Sequence, residues 1–143
     1  MTPNQIDLIR ASWAKVEPIT DTAATLFYGR LFELDPSVRP LFAHTDVAKQ
    51  GKVLMQTLTV VVKGLDRLDT LVPAVQALGR RHAGYGVRAE DYSTVGAALL
   101  WTLEQGLGPD FDDPTREAWG LAYGTLASVM LDAAAEVAEA PAA

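Results

Sequence analysis

An all-α fold is what this sequence predicts, on three observations. Apolar residues recur every three or four positions nearly throughout, no convincing stretch alternates with the two-residue period of a strand, and Pro and Gly fall where helices open and close. The 143 residues approach the length of one domain, and 49% apolar residues are enough to fill a core. One unit over residues 1–143 is therefore expected, with an Ala-rich tail that frays from about residue 133.

Each element has a local reason. Thr2-Pro3-Asn4-Gln5 reads as a capping box with Pro at the first helical position, opening a helix whose inner stripe is Ile6, Ile9, Trp13 and Val16 and which Pro18 closes. A second helix runs from about Thr20 to Leu34 with Phe27, Leu31 and Leu34 on one face. Asp35-Pro36 then starts a short helical piece ending near Phe42, since Asp caps and Pro suits a first turn. After a loop around His44 and Thr45, a long helix reaches Lys63, where Gly64 is expected to close it in the left-handed conformation. The fifth helix is expected over Leu71 to Gly84, with Pro73 in its first turn and Gly84 and Gly86 at its exit. The sixth covers about Glu90 to Leu107 and stops at Gly108-Pro109, and the seventh opens at Asp113-Pro114.

Composition narrows the function. The net charge is −6 and the basic residues are scattered singly or in pairs, which disfavours nucleic acid as a partner. With no Cys there is no disulfide, no thiolate metal site and no thioether-linked pigment, so any cofactor is held by other residues. The N-terminus is polar, and the aliphatic run Val60 to Val62 stops at Lys63, so neither secretion nor a membrane span is expected and a cytoplasmic address is the default.

Three polar residues sit where apolar ones belong. The inner face of the fifth helix reads Leu71, Val75, Leu78, His82, Tyr85, which puts an imidazole in line with the core. The stripe Val47, Gln50, Leu54, Leu58, Val61 places an amide in an aliphatic row, and Tyr28 brings a hydroxyl to the edge of the core beside Phe27. A core histidine satisfied by backbone, with Tyr28 and Gln50 bonded to each other or to carbonyls, would account for these features one by one. A single account covers all three. A flat apolar cofactor between the helices has its metal held by His82, and a small polar ligand is held on the other side by Tyr28 and Gln50. Iron in a porphyrin suits such a site, with the other nitrogen of His82 donating to a carbonyl one turn back, that of Leu78.

The motifs LFYGRLF (26–32), PLFAH (40–44), QGKVLM (50–55), GRRHAGYGV (79–87), YSTVG (92–96) and AWGLAYG (118–124) make the whole chain resemble a globin, most similar to neuroglobin-like and bacterial single-domain haemoglobins. The resemblance implies the globin fold, about seven to eight helices with haem b in an apolar crevice. It implies His82 as the proximal iron ligand and Phe42 wedged against the porphyrin. Tyr28, Gln50 and Leu54 fall on the distal side, and Val87, Tyr92 and Val95 at the haem edge. Arg81, with Arg80, Arg88, Lys49 and Lys52, is placed to meet the propionates, and His44 to lie at the surface or against one of them. Implied ligands are O2, CO and NO, with storage, transport or scavenging of oxygen as the leading role.

Two departures from the family matter. Gln50 stands where many neuroglobin-like chains carry a histidine that closes the sixth iron position, so imidazole closure is not available there, and Tyr28 as a phenolate ligand is the lesser alternative. Flavohaemoglobins pair the proximal histidine with a Tyr and a buried Glu on the last helix. Tyr92 matches the Tyr, but Ala134 falls at the Glu position and Glu136 lies two residues on, so the relay is expected to be broken. Within 143 residues no reductase is expected to follow, so nitric oxide dioxygenation or weak peroxidation, the enzymatic alternatives, would draw on an external reductase. A haem-free signalling module of the same fold is the third reading.

Overall fold

The computed structural model describes residues 1–139 and, among them, contains helices and no strand. Six α-helices account for most of the chain: α1 (Pro3–Val16), α2 (Thr20–Leu34), α3 (Val47–Lys63), α4 (Leu68–Gly84), α5 (Ala89–Leu107) and α6 (Asp113–Glu139). Short 3₁₀ turns at Glu17–Ile19, Pro36–Phe42, Leu65–Arg67 and Gly108–Asp110 join them, so the expected third helix is a 3₁₀ segment and the fourth to seventh are α3 to α6. The last helix passes residue 133 and continues to Glu139, and residues 140–143 lie outside the described residues.

The capping box at Thr2 is present in both directions, Gln5 N–H donating to Thr2 Oγ1 at 3.2 Å and Thr2 N–H to Gln5 Oε1 at 2.9 Å. Asp35 and Asp46 cap the next two starts through their carboxylates. Two boundaries differ from expectation. Gly64 is not left-handed, with φ −98° and ψ 9°. The end of α3 is instead held by Arg10, whose guanidinium donates to the carbonyls of Val62 (3.2 Å) and Lys63 (2.9 Å). Gly64 is small for reasons of space, since a Cβ there would stand 2.7 Å from Leu71 Cδ1. Likewise α4 begins three residues before Leu71, which puts Pro73 inside the helix rather than in its first turn. The Leu65–Arg67 turn runs directly into α4, and Thr70 Oγ1 donates to the Arg67 carbonyl at 2.7 Å at the junction.

The core is built on Trp13, Ile9, Leu31 and Leu103, all fully buried. Its polar groups are satisfied: Trp119 Nε1 donates to Ser12 Oγ at 2.8 Å, Ser12 to the Leu8 carbonyl at 2.8 Å, and Trp13 Nε1 to Thr59 Oγ1 at 3.0 Å. This network ties α1 to α3 and α6. The apolar stripe of α4, Leu71, Val75, Leu78 and His82, faces a space within the fold.

Candidate functional site

The space is a cavity of about 330 Å³ bounded by α3, α4, α5 and α6, with Phe27 of α2 also on its wall. Its wall is apolar apart from a few side chains, and it includes Leu54 and Leu58 from α3, Leu78, Arg81 and His82 from α4, and Tyr92 and Val95 from α5. Val87, in the turn between α4 and α5, completes that side. A volume of this order suits a small organic cofactor, whereas the void of about 20 Å³ beneath Trp119 has room for little more than one water-sized molecule. The larger cavity opens beside Val60, an α3 residue left 58% exposed, and Ala74, an exposed residue of α4.

His82 stands on this wall with one nitrogen already used. Its Nδ1 lies 2.7 Å from the Leu78 carbonyl oxygen, one turn back on α4, so Nδ1–H donates and Nε2 is left as the acceptor. The helix bearing it is docked closely on α6. Gly79 meets the backbone of Met130 where an added Cβ would lie 2.4 Å from the carbonyl oxygen. Only a residue without a side chain lets the two helices come so near.

Of the residues named for the opposite side, Leu54 is on the cavity wall, whereas Tyr28 and Gln50 are not, and Tyr28 is separated from the cavity by Phe27, which lines it. Tyr28 is 6% exposed and packs edge-on against Phe27 (ring centroids 5.0 Å) and Phe42 (5.5 Å), with Phe32 at 6.2 Å. Gly51 allows α3 to approach this cluster, since a Cβ there would sit 2.8 Å from Ala24 Cβ and 3.7 Å from Tyr28 Cε2. Among the described residues, neither the Tyr28 hydroxyl nor the half-buried Gln50 amide makes a side-chain hydrogen bond, to each other or to a carbonyl. Mutual satisfaction therefore does not explain them. Burial pushes the Tyr28 phenol up to about 12, so near neutral pH it keeps its proton and is a donor.

The charged residues divide. Arg80 pairs with Glu136 at 3.3 Å, and Arg88 with Glu90 at 3.1 Å and Asp91 at 3.2 Å, whereas Arg81 alone of the five named cations lies on the cavity wall. His44, Lys49 and Lys52 are exposed and away from that wall. Glu136 is engaged at the surface with Arg80 and not with the buried Tyr92. Sequence reasoning missed Tyr123, whose hydroxyl donates to the Tyr92 carbonyl at 2.6 Å and whose ring lines the cavity. The signal was available: Tyr123 follows Trp119 by one helical turn on the inward side of α6, where a hydroxyl needs an acceptor.

The Globin family model matches residues 25–130, a span that takes in α3, α4 and α5 and most of α6. The chain belongs to the globin family. This globin is 31% identical over 135 residues to a flavohemoprotein of Vibrio cholerae, covering 92% of the chain and 34% of the relative. It is 28% identical over 141 residues to a flavohemoprotein of Bacillus thuringiensis, covering 97% and 35%. The chain thus spans about a third of the length of these curated relatives. Among solved structures it is similar to a bacterial globin from Campylobacter jejuni, with TM-score 0.85, 27% identity and coverage of 97% of this chain and 100% of that one. It is also similar to an engineered carbene transferase, a candidate nitric oxide dioxygenase of Rhodothermus marinus, with TM-score 0.86, 27% identity and 96% of each chain covered.

Haem b is the cofactor of this globin, and the residues present fit it. The cavity is wide and apolar, its wall carries an imidazole with one nitrogen unshared, and a guanidinium stands on the same wall. Among the described residues no helix is long and apolar enough to cross a membrane.

Proposed function

We propose that this globin reversibly binds dioxygen and other diatomic gases, CO and NO among them, at haem held by His82. When bound, haem supplies ferrous iron with a coordination position open to such ligands. The observation that carries the reading is the pairing of His82 Nδ1 with the Leu78 carbonyl at 2.7 Å on the wall of the apolar cavity. That bond fixes the tautomer, orients the ring and presents Nε2 as a lone-pair donor. Leu54 bounds the cofactor, with Phe42 packed against Tyr28 on the same side; Val87, Tyr92 and Val95 flank its edge, and Arg81 meets a propionate.

On the opposite side Tyr28 and Gln50 are the polar groups offered to the gas. The phenol of Tyr28 keeps its proton, and both side chains are without hydrogen-bond partners, so each can donate to a ligand that accumulates negative charge. The same retained proton disfavours Tyr28 as a phenolate ligand. Leu54, on the cavity wall one turn after Gln50, limits the room beside the cofactor and keeps water out. Absorption spectra of the ferric, ferrous and oxygenated forms test the proposal. A stable oxygenated spectrum is expected, and a purified protein that takes up no added haemin would leave only a haem-free module.

The similarity to the candidate nitric oxide dioxygenase of Rhodothermus marinus favours a second reading, nitric oxide dioxygenation sustained by an external reductase. Stopped-flow mixing of the oxygenated protein with nitric oxide, followed by turnover with an added reductase, separates the two. Oxidation of one equivalent without sustained turnover supports gas binding as the principal role.

A further inference from the structure

The outer face of α3 is used by none of the roles above, and its charge runs against that of the molecule. Lys49, Lys52, Val53, Gln56, Val60 and Lys63 fall in one stripe about 100° wide on an ideal helix, and all six are exposed. Val53 is 51% and Val60 58% accessible, and among the described residues no other helix turns two large apolar side chains to solvent. The chain carries a net charge of −6, yet from Val47 to Lys63 there is no Asp or Glu. Among the described residues none of the three α3 lysines has a carboxylate partner. The other basic side chains do, except Arg39, which lies over the Phe32 ring, and Arg81 on the cavity wall. One end of the stripe reaches the cofactor site, since Val60 is also part of the cavity wall. Along one edge runs an open groove, with Lys52, Gln56 and Val60 on one bank and Glu17 and Asp21 on the other.

From this placement we infer that the outer face of α3 is a docking surface for an acidic electron-transfer protein carrying a reduced flavin. The purpose of the contact rests on the second reading above, in which haem at His82 draws electrons from outside the chain. Each encounter moves one electron: the flavin hydroquinone loses it, and ferric iron in the haem gains it and becomes ferrous. Charge complementarity selects the partner, because three lysines without carboxylates around two valines attract an acidic surface that has an apolar centre. The shape of the charged face selects a protein over a membrane. A flat anionic bilayer would meet Glu17 and Asp21 together with the lysines, whereas a narrow acidic ridge on a protein meets the lysines alone. Two valines without an aromatic ring are also a weak membrane anchor. A second copy of the chain fits badly as well. Antiparallel α3 helices would set Lys49 against Lys63 twice, and parallel ones would set each lysine against itself. The reach to Val60 gives the contact its use, because a donor seated there lies at the mouth of the cofactor cavity.

Calorimetric titration reads the docking by itself, with the ferric haem-loaded chain and an oxidised flavodoxin, a small acidic flavin protein, as the probe. Binding is expected at low ionic strength and is expected to weaken as salt is added. The pair Lys52→Glu and Lys63→Glu is expected to weaken it about tenfold or more, and Val53→Ser by less without changing the salt dependence. Arg116→Glu, which reverses a charge on α6, is expected to leave binding unchanged. All variants should keep the helical circular dichroism and Soret band of the wild type, their substituted side chains being exposed. No binding at low ionic strength, no effect of the lysine reversals, or equal weakening by Arg116→Glu would overturn the inference. So would capture of the chain by phosphatidylglycerol vesicles through the same lysines with flavodoxin left unbound, or a dimer of the chain that Val53→Ser dissolves. Mixing photoreduced flavodoxin with the ferric protein under carbon monoxide then reads delivery, and the lysine reversals should slow the rise of the ferrous band as they weaken binding. Docking without any reduction would overturn the electron delivery. Failure of the underlying reading is distinguishable: the wild-type chain would show no Soret band after incubation with haemin, and titration of that haem-free chain would still test the surface.

Discussion

Tyr28 and His82 stand in opposite electrostatic situations, and the difference governs what each substitution should do. Tyr28 is a protonated phenol with no partner, so Tyr28→Phe removes a donor at little cost to packing against Phe27 and Phe42. Loss of one hydrogen bond to a ligand carrying negative charge is worth about 1–3 kcal/mol, which speeds oxygen dissociation by about fivefold to 150-fold. Stopped-flow release of oxygen checks this, and an unchanged rate would mean that the hydroxyl does not face the gas. Gln50→Leu should act in the same direction and less strongly, being closer to the surface. For His82→Ala the readout is the Soret band: haem is expected to be lost or loosened, with added imidazole restoring retention. The unusual position of these residues was legible from periodicity, since each interrupts an apolar row. Their separation into an imidazole on the cavity wall and a phenol inside an aromatic cluster was not, because it depends on which helices meet across the space.

The contact of α4 with α6 sets where the imidazole sits. At Gly79 a Cβ would stand 2.4 Å from Met130 O and 2.6 Å from Met130 Cα, and backbone atoms cannot move aside as a flexible side chain can. Gly79→Ala is therefore expected to push the helices apart at a cost of about 1–3 kcal/mol. Denaturant unfolding of the haem-free chain checks the stability, and faster transfer of haem to an acceptor protein checks the displaced His82. Most of the helices were readable from their caps and breakers. The start of α1 at the Thr2 capping box, the run from Asp113 and the stop at Gly108, whose φ is +56°, all follow local chemistry. Gly64 shows the limit of that reading. A glycine after a long helix predicts a left-handed closure, but Arg10, over fifty positions upstream, caps the carbonyls, and Leu71 claims the space a side chain would need. Both facts are tertiary, as is the close approach at Gly79.

For the molecule as a whole, the burial of its phenols sets an alkaline limit. Desolvation raises Tyr28 from 10.0 to about 12, and Tyr92 and Tyr123 are raised in the same direction, Tyr123 also by its proximity to Tyr92. In this window the folded chain holds protons that the unfolded chain has released, so stability is full below pH 10 and falls as pH rises through about 12. Tyr28 alone accounts for a loss on the order of 2 kcal/mol. Circular dichroism of the haem-free protein across this range is expected to show unfolding together with the appearance of phenolate absorbance, and Tyr28→Phe should move the midpoint upward. Titration of the phenols well ahead of helix loss would contradict the buried placement.

The pair of indoles at the junction of α1 and α6, Trp13 and Trp119, has centroids 5.8 Å apart and is sealed from water. Excited there, either ring can hand its energy to a porphyrin lodged in the cavity that α6 borders instead of emitting light. The chain thus carries a built-in lamp that dims as the pigment is taken up and brightens as it leaves. Arrival and departure of the cofactor are expected to be followed by that glow without any added label.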